Sequence, residues 1–398
     1  MSHAIHRNLR LRPPRAVRGD GAYVIDASGK RYLDGCGGAA VSCLGHSHPA
    51  VIEAVQNQVQ QLPYAHTSFF TTDVMEELAE TLIHWAPGMG KVLLVSGGSE
   101  SIEAALKLSR QYFVEIGESE RHLFIARRQS YHGNTLGALA VGGNEWRRRN
   151  FAPLMVAGNH ISPCFEYRER KSGEDAESYG LRVADELEDK ILELGPRNVA
   201  AFVAETVVGA TAGAVVAVPG YFKRIRQICD RYGVHLILDE VMCGTGRTGT
   251  FMAYEQEDIA PDMVTMAKGL AAGYQPIGAL LCQRYITDAV AAGSGFFQHG
   301  HTFMGHATAV ATSLATLKTI RDEELLQNVV KRGESLRTRL QEALAYHENV
   351  GDVRGRGLFV GVEFVADRET KAPLEPARKT HNEVQRAAFQ NGLLCYGM

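Results

Sequence analysis

The sequence has little that would suit a secreted, membrane-bound or nucleic-acid-binding protein. Its 7 cysteines are odd in number and include no C-x-x-C pair, which argues against a disulfide framework and favours a reducing cytoplasm. No apolar segment follows the basic N-terminus, so a solvated arm is expected rather than a secretory signal. The 42 basic and 45 acidic side chains give a net charge of −3, which favours neither nucleic acid nor an anionic membrane as main partner.

One apolar stretch, residues 199–219, has the length of a membrane span. It contains Glu205 and glycines, so a buried strand followed by a loop explains it better than a helix in lipid. The sequence also shows no internal repeat and no low-complexity tract. Its 398 residues, 45% hydrophobic and 22% charged, are typical of a globular protein and allow two or three domains.

Strand-like and helix-like segments alternate through most of the chain, after a predicted hairpin at 20–34 and helices at 49–62 and 73–85. Such alternation predicts an α/β fold with a mainly parallel sheet, whose ligand lies at the carboxyl ends of the strands. After about residue 305 two long helices and a strand pair predict a separate, smaller domain. The predicted strands are 91–96, 122–127, 199–205, 234–238, 263–266 and 278–282.

Two charged residues follow neighbouring apolar strands. Lys268 comes directly after the strand 263–266, where burial would favour its neutral, nucleophilic amine. Asp239 ends the strand 234–238, where a carboxylate is either a helix cap or the partner of a protonated pyridine nitrogen. Together they suit a pyridoxal 5′-phosphate (PLP) site, although a lone lysine in this position is more often a surface residue.

Other polar or aromatic residues follow other strands. The turn Ser96–Ser99 leads from a strand into a helix, whose N-terminus can bind phosphate, although its spacing matches neither nucleotide-binding glycine motif. Tyr131 could stack on a planar cofactor or belong to the core. Glu205 ends a strongly apolar strand and needs a partner, either an arginine such as Arg247 or the ligand pocket.

Histidines form two groups, His46 with His48 and His299 with His301 and His306. They lie among glycines and turns without a cysteine or carboxylate pattern, so no metal site is predicted.

The order of these motifs resembles the class III aminotransferase family from about residue 20 to the end. The resemblance is closest to its ω-amino acid and amine:pyruvate group. The stretch Asp239–Gly249 is similar to D-E-V-x-x-G-x-G-R-T-G, and Pro261–Leu270 to the lysine segment P-D-x-x-x-x-x-K-G-L. The segments Gly45–Pro49, Tyr274–Ala279 and His301–Phe303 also match.

The resemblance implies a fold type I PLP enzyme with a mainly parallel seven-stranded sheet flanked by helices. It also implies a smaller α+β domain built from both chain ends. The expected boundaries are 1–48 for the N-terminal part of the small domain, 49–304 for the large PLP-binding domain and 305–398 for the C-terminal part.

The same resemblance assigns roles by position. Lys268 would hold PLP as a Schiff base and move the proton, and Asp239 would hold the pyridine nitrogen. Cofactor-binding roles fall to Gly98 and Ser99 at the phosphate, to Val241 and Tyr131 on the two ring faces, and to His132 and Glu205. In the implied homodimer, Thr302 would reach the phosphate of the neighbouring subunit.

Some positions narrow the expected substrates. Ornithine-type members usually carry Gln where this chain has Met242, and the segment Glu205–Gly209 lacks a glutamine that the family often has. The expected reaction is amino-group transfer from an ω-amino acid or amine to a keto acid, with pyruvate as the expected acceptor. Ala39 and Ala40 would widen the pocket. The family usually continues beyond Leu394–Met398, where an arginine often binds the substrate carboxylate, so a truncated small domain is expected.

Three other interpretations remain open on sequence alone. A PLP-dependent decarboxylase of dialkyl amino acids would share the cofactor residues, because Lys268 and Asp239 do not select the bond that breaks. An aminomutase or epimerase would share them as well. The non-enzymatic alternative is a truncated subunit that binds PLP but is inactive.

Overall fold

The computed structural model describes residues 3–397, and within this range it contains fifteen strands and thirteen α-helices. The strands are Ala16–Asp20 (β1), Tyr23–Asp26 (β2), Arg31–Asp34 (β3), Lys91–Val95 (β4), Leu123–Arg127 (β5), Asn159–Ile161 (β6), Val199–Glu205 (β7), Val207–Val208 (β8), Val215–Val216 (β9), His235–Asp239 (β10), Met263–Met266 (β11), Gly278–Cys282 (β12), Val350–Arg356 (β13), Phe359–Phe364 (β14) and Leu393–Leu394 (β15).

The helices cover both faces of the main sheet and form much of the rest. They are Gly37–Ala40 (α1), Pro49–Gln61 (α2), Asp73–Trp85 (α3), Gly98–Glu115 (α4), Leu136–Val141 (α5), Glu145–Arg148 (α6), Glu166–Glu169 (α7), Ala176–Leu194 (α8), Tyr221–Tyr232 (α9), Arg284–Ala292 (α10), Ala307–Asp322 (α11), Leu325–Leu344 (α12) and Thr380–Gln390 (α13).

The main sheet has seven strands in the order β4-β12-β11-β10-β7-β5-β6. Strand β12 runs antiparallel to both of its neighbours, while the other pairings are parallel. The mainly parallel sheet was therefore predicted correctly, but the reversed direction of β12 was not. The polar residues that end the parallel strands meet at one edge of this sheet.

The centre of the sheet is apolar because helices cover both of its faces. Every residue of β7 and β10 is buried, as expected for strands inside a two-sided parallel sheet. This confirms that the apolar stretch 199–219 begins as a strand, and no helix within residues 3–397 is long and apolar enough to cross a membrane. Gly233, at φ 62°, ends α9 in the left-handed conformation and turns the chain into β10.

Both ends of the chain contribute to a second sheet, in the order β1-β2-β3-β15. The predicted hairpin is present as β2 and β3, and β15 pairs in parallel with β3. The predicted strand pair near the C-terminus is the antiparallel hairpin of β13 and β14.

Candidate active site

The register of the main sheet brings three predicted site residues together. Asp239, the last residue of β10, lies beside Glu205 of β7 and beside Thr265 of β11. Lys268 follows Thr265 by three positions, in the short 3₁₀ turn Lys268–Ala271. Parallel strands that end at the same level therefore place an amine and two carboxylates at one edge, as the sequence predicted.

Lys268 is partly buried, and its backbone has a left-handed φ of 48°. Removal from water lowers the pKa of its amine, whereas the charges of Asp239 and Glu205 act in the opposite direction. Loss of hydration is the larger effect, so a greater fraction of the amine is neutral than in a surface lysine. A neutral amine can attack an aldehyde and can accept a proton.

Asp239 is buried, with 4% of its surface exposed, and both of its oxygens are engaged. Oδ2 lies 2.7 Å from Nδ1 of His132, and Oδ1 accepts a hydrogen bond from the backbone nitrogen of Val241 at 3.0 Å. The imidazole is also buried, and its Nε2 has no hydrogen-bond partner in the described residues. Its orientation is therefore fixed through Asp239, while Nε2 is left for a group that binds in the cavity.

Glu205 is held by backbone donors rather than by an arginine side chain. Its Oε1 accepts a hydrogen bond from the backbone nitrogen of Tyr131 at 3.2 Å, and its Oε2 accepts one from Gly209 at 2.8 Å. Complete burial raises the pKa of this carboxyl above its ordinary value. Among residues 3–397 no ion pair joins Glu205 to Arg247, so the structure places Glu205 in the pocket, the other alternative from the sequence.

The start of α4 forms a narrow wall of the site. A Cβ at Gly98 would lie 2.9 Å and 3.1 Å from the two methyl groups of Val241, so no other residue fits there without displacement. Ser99 Oγ accepts a hydrogen bond from the backbone nitrogen of Asn134 at 3.1 Å. The 18-residue helix α4 directs its free N–H groups and positive dipole end toward this point, which suits a phosphate.

One cavity unites eight of the nine predicted site residues. Val207, Met242 and Gly133 also line it; the predictions assigned them no site role, although Val207 and Met242 lie close in sequence to Glu205 and Val241. Ala39 and Ala40 are not among the lining residues. Those that line it are Gly98, Ser99, Tyr131, His132, Gly133, Glu205, Val207, Asp239, Val241, Met242 and Lys268.

Thr302 is the predicted site residue that lies elsewhere. Its carbonyl oxygen accepts a hydrogen bond from the Tyr64 hydroxyl at 2.6 Å, and the rings of Phe303 and His306 lie near Tyr64. This position does not test a contact with a second subunit, so that role stays a prediction.

The two groups of histidines contact carboxylates and aromatic rings. His46 lies 3.2 Å from Asp34 and His48 lies 3.2 Å from Glu323, each through Nε2. His299 and His301 contact each other edge to face. In the described part of the chain, no cluster of histidine, cysteine and carboxylate side chains could hold a metal ion.

The lining residues fit PLP in several independent respects. Lys268 supplies an amine, Asp239 a buried carboxylate, and the start of α4 an anion site. Val241 and Tyr131 line the same cavity with an apolar and an aromatic side chain, and His132, another lining residue, has a buried Nε2 without a partner in the described residues.

Comparisons with known proteins give the same assignment. Residues 7–398 match the family model described as aminotransferase class-III. An aminotransferase of Gibberella zeae is 44% identical, over 95% of this chain and 76% of its own length. A taurine–pyruvate aminotransferase of Bilophila wadsworthia is 35% identical, over 98% of this chain and 86% of its own.

A solved structure has the same overall fold. The ω-transaminase of Pseudomonas jessenii, in complex with PMP, superposes with a TM-score of 0.96 at 34% identity, over 100% of this chain and 89% of its own. The chain therefore belongs to the class III aminotransferase family, as a transaminase of fold type I whose cofactor is PLP.

Proposed function

We propose that this transaminase takes the amino group from an ω-amino acid or amine and passes it to pyruvate. The observation that carries the proposal is the meeting of Lys268 with the Asp239–His132 pair in one cavity. The name of the taurine–pyruvate relative supports an ω-amino donor and pyruvate as acceptor. The relatives named above are aminotransferases, which does not favour the decarboxylase, aminomutase or inactive-subunit interpretations.

Bound PLP supplies an aldehyde for the incoming amine and a ring that withdraws electrons from the substrate carbon. With PLP bound, Lys268 Nζ would hold the cofactor and move the proton as general base and then acid. Asp239 would hold the proton of the pyridine nitrogen, and His132 keeps the Asp239 carboxylate oriented. Val241 and Tyr131 would lie against the cofactor ring, and Gly98 and Ser99 would bind its phosphate.

A spectroscopic screen tests this function. Protein loaded with PLP is mixed separately with β-alanine, taurine, GABA, a diamine, an aryl amine and alanine. We expect the cofactor absorbance band to disappear with an ω-amino donor and to return when pyruvate is added. If no donor changes the band, the transaminase function is wrong for this chain as it stands; carbon dioxide release would favour the decarboxylase.

We propose further that the active unit is a homodimer in which Thr302 completes the neighbouring phosphate site. Exposed aromatic side chains lie close to Thr302. Phe303 is 58% exposed, and Phe69, which is 79% exposed, contacts His66 beside Tyr64, the residue bonded to the Thr302 carbonyl oxygen. Such a patch is typical of an interface. The pairing of β3 with β15 joins segments from both parts of the chain in one sheet, which supports the proposed division into residues 1–48, 49–304 and 305–398. The seven free thiols support a cytoplasmic location.

Mixing two variants tests the dimer. Lys268→Ala and Thr302→Ala homodimers would each lack one residue in every site, whereas a mixed dimer would contain one site with both residues. We expect co-expression to restore tight PLP binding and activity at one site in each mixed dimer. Activity equal to the sum of the separate variants would contradict the shared site.

A further inference from the structure

A guanidinium group lies against a ring that lines the cavity, and among residues 3–397 it has no acidic partner. The centre of the Arg147 guanidinium is 4.7 Å from the centroid of the Tyr131 ring, and Tyr131 lines the cavity. The same guanidinium is 5.7 Å from the ring of Trp146. Aromatic rings attract a cation through their faces without using its N–H donors. Arg147 is therefore held near the cavity while its donors stay available.

The neighbouring arginines differ from Arg147 in this respect. Arg148 donates hydrogen bonds to Glu145 at 3.1 Å and to the Ala140 carbonyl oxygen at 3.4 Å. The Arg149 side chain is exposed. Within residues 3–397 the Arg147 side chain forms no hydrogen bond or ion pair, although it is half-buried. A half-buried cation with five free donors is suited to an anion that arrives from solution.

The carboxylates of the cavity are already engaged. Burial raises the pKa of the Tyr131 hydroxyl, and the positive charge of Arg147 opposes that effect. Asp239 and Glu205, which line the cavity, accept hydrogen bonds from other groups. Within residues 3–397 neither carboxylate pairs with Arg147, so its donors face no acidic side chain of the cavity.

We propose that Arg147 binds the acidic group of the amino donor while the donor's amine reacts at Lys268. The inference rests on the proposed function and specifies its substrate class: donors with a carboxylate or sulfonate remote from the amine. The planar guanidinium can bind two oxygens of either group at once. Met242 and Val207, which line the cavity, would contact the carbon chain between the two ends.

Matched variants and donors test the assignment. Arg147→Gln removes the charge, Arg147→Lys keeps it, and Arg149→Gln removes an exposed charge of the same segment. The donors are β-alanine, taurine and propylamine, which has no acidic group, with pyruvate as acceptor. Calorimetric titration of the PLP-loaded protein with propanoate measures binding of the acidic group without reaction.

In Arg147→Gln we expect kcat/KM for β-alanine and taurine to fall about ten- to hundredfold, mainly through KM, as for the loss of a hydrogen-bonded charge pair. Propylamine should change by less than about threefold, as for a surface substitution. The affinity for propanoate should fall in the same variant. Arg147→Lys should recover part of the lost kcat/KM with the acidic donors, and Arg149→Gln should match the wild type. A loss with only one acid would support the site and identify its preferred group.

An equal loss with propylamine would overturn the proposal, as would unchanged kinetics with both acids or a rise in KM for pyruvate alone. These outcomes are distinct from failure of the proposed function, in which the wild type itself converts no donor. In that case propanoate binding still decides the role of Arg147. Equal affinity of the wild type and Arg147→Gln for propanoate would then refute it.

Discussion

Substituting Gly98 by alanine should weaken PLP binding by pushing Val241 into the cofactor site. The new Cβ would lie 2.9 Å from one Val241 methyl group and 3.1 Å from the other. Carbon atoms normally remain about 3.5–4.0 Å apart, so the overlap is roughly 0.5–1 Å. Val241 cannot relieve it by a simple rotation because a β-branched side chain is stiff and its backbone nitrogen is bonded to Asp239 Oδ1.

Overpacking of this kind costs about 1–3 kcal/mol, which corresponds to an increase in the PLP Kd of about 5- to 100-fold if the bound state carries the strain. The assay is fluorescence titration of the apoprotein with PLP. Gly97→Ala is the matched control, since Gly97 has an extended φ of 178° and a Cβ there meets no atom within 4 Å. When Val241 is replaced by alanine as well, Gly98→Ala should raise the PLP Kd only slightly. The reasoning is refuted if Gly98→Ala alone binds PLP as tightly as the wild type, or if it loses as much affinity in the Val241→Ala protein.

Three further changes have defined outcomes. Lys268→Ala should leave the circular dichroism spectrum unchanged but abolish the covalent PLP adduct found by mass spectrometry after borohydride reduction; an adduct elsewhere would contradict the assignment. His132→Ala should raise the PLP Kd about tenfold or more by removing a hydrogen bond to a charged group, whereas the exposed-site control His122→Ala should not. Burial raises the pKa of Glu240 from 4.5 to about 7. The folded state therefore keeps a proton that the unfolded state loses, and stability falls by up to about 3 kcal/mol as pH rises through this window. In Glu240→Gln, the free energy of unfolding measured with urea should not fall in this way as pH rises, although the new amide lowers it equally at every pH. If the free energy of the variant falls with pH as steeply as that of the wild type, Glu240 is not the source of the decline.

Much of the fold could be predicted because the main strands are short apolar runs followed by small or polar residues. Strands β7, β11 and β12 have the bounds that the sequence suggested, since each is a short apolar run that local composition marks. The antiparallel direction of β12 could not be predicted in this way. An apolar run of five residues has the same composition in either direction, and its direction is fixed by pairing with β11 and with β4, which is remote in sequence.

In the site, too, local features could be predicted and long-range contacts could not. Lys268 and Asp239 could be predicted because both lie at the end of an apolar strand, and adjacent parallel strands end side by side. The partner of Asp239 could not be predicted, because His132 is 107 positions away and reaches Asp239 only where the loop after β5 crosses the end of β10. For Glu205 the sequence left two alternatives, Arg247 or the pocket; the structure has the pocket, because backbone N–H groups of two loops reach the carboxylate.

This difference explains why the cofactor is easier to infer than the substrate. The cofactor contacts come from strand ends and from the start of α4, which one rigid sheet holds at fixed positions. The cation beside Tyr131 instead comes from Arg147 in the short helix α6, outside the main sheet. Arg147 belongs to no motif, so its position over the Tyr131 ring could not be read from the sequence. If Arg147 binds the acidic group of the donor, as proposed, Arg147→Gln changes the substrate preference while the strand ends proposed to bind PLP stay the same.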